Sequence, residues 1–185
     1  MSGFEKNINV EYLRRSADQT RQLKELTYQL LNLDKPQTIL DIGCGPGVDT
    51  VAMAKASHAD SRITGIDDEQ SMIDAANEFA LNERVGEKVI HIKASATELP
   101  FQDASYGAVR AERLFQVIPA SVASPQTIFN EAFRVLKPGG IMVLADTDWA
   151  TASVNFSNLD MERRFVRFFS DVCRPKVMPD DNFYN

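Results

Sequence analysis

Cysteine is scarce in this chain of 185 residues, which contains only Cys44 and Cys173, far apart in sequence. Two isolated cysteines indicate neither a disulfide framework nor a zinc site, and we expect no bound metal. No apolar run approaches the length of a membrane span. The first fifteen residues contain no apolar signal core. The sequence therefore predicts a cytoplasmic protein without a membrane span.

The chain also lacks an excess of positive charge. It has 20 Lys and Arg against 26 Asp and Glu, a net charge of −6. Nucleic-acid binding needs a basic face, so we expect no nucleic-acid partner. The acidic balance favours small-molecule or protein substrates only weakly. The length suits one domain with a buried core.

Helix-like and strand-like segments alternate along the chain. Short apolar runs predict strands at 38–42, 63–67, 89–94, 106–111 and 141–146. Helical patterns predict helices at 10–33 and 48–56, behind Ser71, behind Ser124 and near 161–172. This alternation predicts an α/β fold with a parallel sheet.

Local signals predict where several helices begin, end and face the core. Ser71 to Asp74 resembles a capping box, and Ser124 followed by proline is a second helix start. Gly86 and the segment 137–140 are the predicted helix stops. The first helix repeats leucine at helical spacing, at Leu23, Leu26, Leu30 and Leu33.

The segment ILDIGCGPGVDT, residues 39–50, is the most informative part of the sequence. A buried strand runs into Gly43, Gly45 and Gly47 and then into a helix, which lets the backbone turn tightly and approach a ligand. The dinucleotide fingerprint needs a glycine at its sixth position, where this chain has Val48. Binding of the NAD type, and with it a nucleotide-dependent oxidoreductase, is therefore disfavoured. A generic tight turn is the remaining alternative.

Asp67 lies 20 residues after Gly47, at the end of the second predicted strand. An acidic side chain at this place can accept both hydroxyl hydrogens of a ribose. The alternative is a cap for the following helix, which Asp68 could supply equally well.

Residues 38–146 resemble the class I S-adenosylmethionine-dependent methyltransferases, in the group that acts on quinones and other small molecules. The matching segments are LDIGCGPG, GIDDEQSMIDAA, ATELPF and RVLKPGG. The resemblance implies a Rossmann-like, doubly wound, mostly parallel sheet. It also implies S-adenosyl-L-methionine as cofactor, in-line methyl transfer to a small-molecule acceptor, and S-adenosyl-L-homocysteine as product.

The resemblance also implies cofactor-binding roles for matching positions. The three glycines would border the methionine part, whose amino group Asp41 would hold. Asp67, with Asp68 beside it, would bind the ribose. The other implied positions lie around the adenine, at Met72, Ser95, Ala96 and Thr97, or at the methionine end, at Ala111 and Glu112. Ser95 stands where relatives usually have an acid, and Tyr12 is a candidate lid residue.

The acceptor is expected beyond the carboxyl ends of the fourth and fifth strands. The substrate candidates there are Arg113, Gln116, Asp146, Asp148 and Trp149. Two carboxylates and an indole could hold a cationic acceptor, or the aspartates could be solvated loop residues. No general base can be named, because we expect both His58 and His91 to be structural.

The sequence predicts three parts: an N-terminal helical cap at 1–36, a cofactor-binding core at 37–150, and a C-terminal helix and tail at 151–185 that begin an incomplete substrate side. Relatives continue with two further strands, and no such pair follows Asp146. We therefore expect a truncated chain that lacks the last two strands. Two consequences remain open: cofactor binding without catalysis, and self-association through an exposed fifth strand.

Overall fold

The computed structural model describes residues 9–118, 124–147 and 157–173. Its five strands are β1 (Thr38–Ile42), β2 (Arg62–Asp67), β3 (Val89–Lys93), β4 (Tyr106–Glu112) and β5 (Leu136–Ala145). The helices are α1 (Val10–Gln19), α2 (Arg21–Gln29), α3 (Val48–Ala56), α4 (Gln70–Asn82), α5 (Pro125–Val135) and α6 (Leu159–Cys173). All strand pairs are parallel, and the order across the sheet is β3-β2-β1-β4-β5. The predicted α/β fold is confirmed.

The sheet is covered by helices on both faces, because alternate residues of each central strand point to opposite sides. Ile39 packs with α3 residues such as Met53 in one buried cluster. Leu40 packs with α5 residues such as Ile128 in the other. Strands β2 and β3 follow on one side of β1, and β4 and β5 follow on its other side, so the sheet is doubly wound and its order reverses between β1 and β4. Ligands of such sheets bind beyond the carboxyl ends of the strands at this reversal.

The single N-terminal helix predicted over 10–33 is wrong, since the structure has two helices that meet at Thr20. The Thr20 hydroxyl donates to Ser16 O at 3.0 Å, which competes with the regular helical pattern. The expected apolar face is wrong as well. Three of the four leucines are exposed, namely Leu23, Leu26 and Leu30. Helix α2 instead buries Lys24 and Thr27.

Two predicted helix ends also differ from the structure. Helix α4 starts after Glu69, so Ser71 lies inside the helix and forms no capping box. It ends at Asn82 and needs no glycine, because Arg84 itself adopts the left-handed conformation with a φ of 59°. Gly86 therefore lies beyond the stop. Ser124 does cap α5, and its side chain accepts the Thr127 N–H, as predicted.

The segment 137–140 is part of β5, which starts directly after α5 at Leu136. We expected this segment, with its proline and two glycines, to stop the preceding helix, and α5 does end at Val135. The pairing with β4 tolerates this composition through a register shift between Tyr106 and Ala108. Pairing of Leu136 with Tyr106 begins the strand five residues earlier than predicted.

Candidate functional site

The glycine loop connects β1 to α3 at the carboxyl edge of the sheet. Gly43, Gly45 and Gly47 all adopt positive φ, at 75°, 51° and 78°. The loop is tied to β2, because the N–H groups of Gly43 and Cys44 both donate to Ile66 O at 2.8 Å. This conformation is strained for any other residue type, which explains the run of glycines.

The three glycines differ in what surrounds them. A Cβ at Gly43 would lie 2.8 Å from Leu114 Cδ1, and one at Gly47 would lie 2.9 Å from Ala76 Cβ. Among the described residues, a Cβ at Gly45 would come within 4 Å of Leu13 alone, at 3.7 Å. Gly43 and Gly47 therefore allow close packing within the protein, whereas the described residues leave space beside Gly45 next to helix α1.

Asp67 joins the loop to the start of α4. Its Oδ2 accepts the Gly45 N–H at 3.0 Å, and its Oδ1 accepts the Glu69 N–H at 3.0 Å. The neighbouring Asp68 is exposed. Asp67, which the sequence predicts to bind a ribose, therefore holds the backbone of the glycine loop next to the start of α4.

The expected adenine side is formed by α4 and the turn after β3. Met72 is buried in α4, while Ala96 and Thr97 are half-buried. The Ser95 Oγ accepts the Thr97 N–H at 3.2 Å and lies 2.8 Å from Thr97 Oγ1. Ser95 thus stabilises this turn, and its hydroxyl is exposed at the surface.

A cluster of charged side chains is buried on the other side of the loop. We call Lys24, Asp41, Asp49, Arg110 and Glu112 the buried ionic cluster. Arg110 lies at its centre on β4. Its Nη1 is 2.9 Å from Asp41 Oδ1, and its Nη2 is 3.2 Å from Asp49 Oδ1 and 3.4 Å from Glu112 Oε2.

The helix α2 contributes the other cation and two hydroxyl groups. Lys24 Nζ donates to Asp49 Oδ2 at 2.7 Å and also to Glu112 Oε2. The Tyr28 hydroxyl donates to Asp49, and Arg110 Nε donates to Thr27 Oγ1 at 3.1 Å. Helix α2 is therefore bonded directly to the first turn of α3 and to the end of β4.

Burial and charge act in opposite directions on the pKa values of this cluster. Burial raises the pKa of Asp41 to about 6, against the effect of the Arg110 guanidinium. Burial also disfavours the charge of Asp49, but Arg110 and Lys24 outweigh it and hold the pKa of Asp49 below its ordinary value. The paired cations thus keep Asp49 ionised inside the protein.

Sequence reasoning missed Arg110, Lys24, Asp49 and Tyr28. One signal was present for Arg110, since it is a charged residue in the apolar run of β4, where a buried strand ordinarily carries none. The repeated leucines of the first helix gave the opposite signal for Lys24, because they predicted a different buried face.

The expected substrate residues that the structure describes are held by the protein itself. Arg113 Nη1 donates to Ser16 Oγ at 2.6 Å, which connects the end of β4 to α1. Asp146 Oδ2 accepts the N–H groups of Phe115 and Gln116 at 2.6 and 3.3 Å. Asp146 thus fixes the short 3₁₀ turn Phe115–Val117. Asp148 and Trp149 lie outside the described residues.

Tyr12 and His91 lie near the glycine loop. Tyr12, the candidate lid residue, is 66% exposed, and its neighbour Leu13 is the side chain that lies over Gly45. His91 supports the loop from below, with Nε2 2.8 Å from Thr50 Oγ1 and Nδ1 3.0 Å from Asn77 Oδ1. Burial lowers the pKa of His91 to about 4.

Neither a metal cluster nor a membrane helix occurs in the part of the chain that the structure describes. No group of three or more His, Cys, Asp or Glu side chains there could hold a metal ion. No helix among the same residues is long and apolar enough to cross a membrane.

The doubly wound sheet, the positive-φ glycine loop and Asp67 at the next strand end define a Rossmann-like nucleoside-cofactor domain. The family described as "Methyltransferase domain" matches residues 40–144, more than half of the chain. The chain therefore belongs to this family, the class I S-adenosylmethionine-dependent methyltransferases, and S-adenosylmethionine is the cofactor that this family indicates.

Two curated relatives illustrate the range of the family. The 27-O-demethylrifamycin SV methyltransferase of Amycolatopsis mediterranei is 34% identical over 136 residues, which are 70% of this chain and 48% of the relative. The demethylmenaquinone methyltransferase of Bacillus licheniformis is 31% identical over 132 residues, 71% of this chain and 54% of the relative. The chain thus spans about half the length of these relatives.

Solved structures share the fold. A SAM-dependent methyltransferase from Aquifex aeolicus aligns with a TM-score of 0.65 and 18% identity, over 91% of this chain and 89% of that one. The [4+2]-cyclase SpnF aligns with a TM-score of 0.60 and 29% identity, over 66% of this chain and 43% of that one.

Proposed function

We propose that this chain binds S-adenosylmethionine at the carboxyl edge of β1, β2 and β4 and transfers its methyl group to a small-molecule acceptor. One observation carries the proposal. Gly45 presents open space beside a backbone N–H held by Asp67, and the buried Glu112 lies at the end of the adjacent strand β4. Family membership and small-molecule methyltransferase relatives support the same conclusion.

The residues present fit this cofactor. Asp67 binds the ribose hydroxyls, and Met72 with the turn Ser95–Ala96–Thr97 encloses the adenine. The glycine loop borders the methionine part, and Asp41, Ala111 and Glu112 line its end. The clearest sign of fit is Glu112 Oε1, a buried oxygen that forms an ion pair with Arg113 Nε at 3.0 Å but accepts no hydrogen bond from the described residues. Such an oxygen suits a ligand's ammonium group, because buried acceptors are ordinarily satisfied.

When bound, the cofactor would supply a methyl group activated on a sulfonium: the acceptor's lone pair bonds to the methyl carbon while the carbon–sulfur bond breaks, and S-adenosylhomocysteine leaves as the neutral thioether. The protein's contribution is to hold the reactants in register and to exclude water. We place the acceptor at the ends of β4 and β5, beside Arg113, Gln116 and Asp146. Asp146 acts there by orienting the turn that contains Gln116. Asp148 and Trp149 remain candidates for a cationic acceptor.

Calorimetric titration with S-adenosylhomocysteine and with NAD tests the cofactor. We expect S-adenosylhomocysteine to bind and NAD to bind far more weakly, because Val48 replaces the third glycine of the dinucleotide fingerprint. Asp67→Asn should weaken S-adenosylhomocysteine about tenfold, as expected for a lost hydrogen bond to a charged group. Tight NAD binding with no response to S-adenosylhomocysteine would refute the proposal.

Binding of the cofactor without methyl transfer is the second candidate. SpnF, which is 29% identical to this chain in the aligned part, is a [4+2]-cyclase. A fold therefore does not fix the reaction. A screen of acceptors with a labelled methyl donor separates the two candidates, because only a transferase moves the label.

We further propose that β5 pairs with a second copy of the chain. Among the described residues, β5 has no partner strand on the side away from β4, and unpaired strand edges favour pairing. Light scattering should report a dimer in which hydrogen exchange along 141–145 is slow. A stable monomer with fast exchange there would contradict this.

A cytoplasmic location and the absence of a nucleic-acid partner stay predictions.

A further inference from the structure

Lys24 is a charged side chain that helix α2 buries almost completely, with 3% of the residue exposed. Lysine is almost never buried unless it is paired, since an isolated ammonium in the interior is strongly disfavoured. Its partners are Asp49 in the first turn of α3 and Glu112 at the end of β4. These two ion pairs connect helix α2 to the first turn of α3 and to the end of β4, where we expect the methionine part of the cofactor.

The two oxygens of Glu112 have different surroundings. Oε2 accepts from Lys24 and lies 3.4 Å from Arg110 Nη2. Oε1 is buried and forms an ion pair with Arg113 Nε at 3.0 Å, but no described residue donates a hydrogen bond to it. Lys24 thus holds Oε2, and Oε1 keeps the capacity to accept a hydrogen bond from a ligand.

We propose that Lys24 is a positioning residue for the amino-acid end of the cofactor: it fixes Glu112 through Oε2 and directs Oε1 at the cofactor's α-ammonium group. This inference rests on the proposed function.

A lysine that merely holds α2 in place would have a different effect from a positioning residue. Two probes separate these roles. S-adenosylhomocysteine carries the amino-acid group, whereas 5′-methylthioadenosine keeps the adenosine and the thioether but lacks that group. A structural defect weakens both probes, whereas loss of positioning weakens only S-adenosylhomocysteine.

The experiment is calorimetric titration of Lys24→Met with both probes. S-adenosylhomocysteine should bind about tenfold more weakly or worse, since a charge-assisted hydrogen bond is lost. The affinity for 5′-methylthioadenosine should stay within about twofold. The control is Lys55→Met, which removes a half-exposed lysine paired with Glu83 and should change neither affinity. Equal loss for both probes, or no loss, overturns the proposal.

Glu112→Gln keeps the shape of the side chain and tests the same idea if Lys24→Met fails to fold. Alone it should weaken S-adenosylhomocysteine but not 5′-methylthioadenosine. Adding Lys24→Met to it should then cost no further affinity, because Lys24 acts through Glu112. An unchanged affinity in Glu112→Gln, or a further loss in the double variant, overturns the proposal. If the unaltered chain binds neither probe, the proposed function fails instead.

Discussion

Replacing Gly45 with valine is expected to weaken S-adenosylhomocysteine binding at least about a hundredfold while the chain still folds, a loss of about 2.7 kcal/mol. Gly45 has a φ of 51°, which a β-branched residue adopts only under strain. In the described part of the chain only Leu13 lies within 4 Å of the added Cβ, at 3.7 Å, so the side chain would extend into the space assigned to the cofactor. Calorimetry measures the affinity, and circular dichroism checks the fold.

Gly139→Val is the matched control. Gly139 has a φ of 77°, and no atom of the described residues lies within 4 Å of a Cβ placed there. It lies near the start of β5, away from the glycine loop. The two variants therefore share the backbone strain, and only one of them fills the site. Wild-type affinity in folded Gly45→Val, or an equal loss in Gly139→Val, would show that the loop does not contact the cofactor.

The strands could be predicted because their signals are local. The apolar run 38–42 is buried on both faces, and the prediction matched β1 residue for residue. The start of β5 could not be predicted in the same way. Its first residues are Leu-Lys-Pro-Gly-Gly, which are unfavourable in a strand, and pairing with β4 overrides that preference.

The same distinction holds for the site. The glycine loop and Asp67 follow strands directly, so their places could be predicted from sequence order. The buried ionic cluster joins residues 69 positions apart, at Arg110 and Asp41, and 88 apart, at Lys24 and Glu112. Contacts between residues so far apart produce no periodic pattern in the sequence. The leucines of α2 do not mark its buried face, because the helix packs against carboxylates, which pair with Lys24 rather than with an apolar side chain.

Replacing Arg110 with leucine should lower the free energy of unfolding by about 3–5 kcal/mol, the usual cost of removing one partner of a buried ion pair. Arg110 is 1% exposed and pairs with Asp41, Asp49 and Glu112. Without it, only Lys24 among the cluster's cations remains for these three carboxylates. Urea unfolding followed by circular dichroism measures the loss.

Arg15→Leu is the control, because Arg15 pairs with Glu11 on the exposed surface of α1. Pairs of that kind contribute about 0–1 kcal/mol, so this variant should unfold almost like the unaltered chain. Adding Asp41→Asn to Arg110→Leu should recover part of the loss, since it removes one of the unpaired charges while keeping the shape of the side chain. A loss below about 1 kcal/mol in Arg110→Leu alone, or no recovery in the double variant, would show that the arginine is not the centre of the cluster's charge balance.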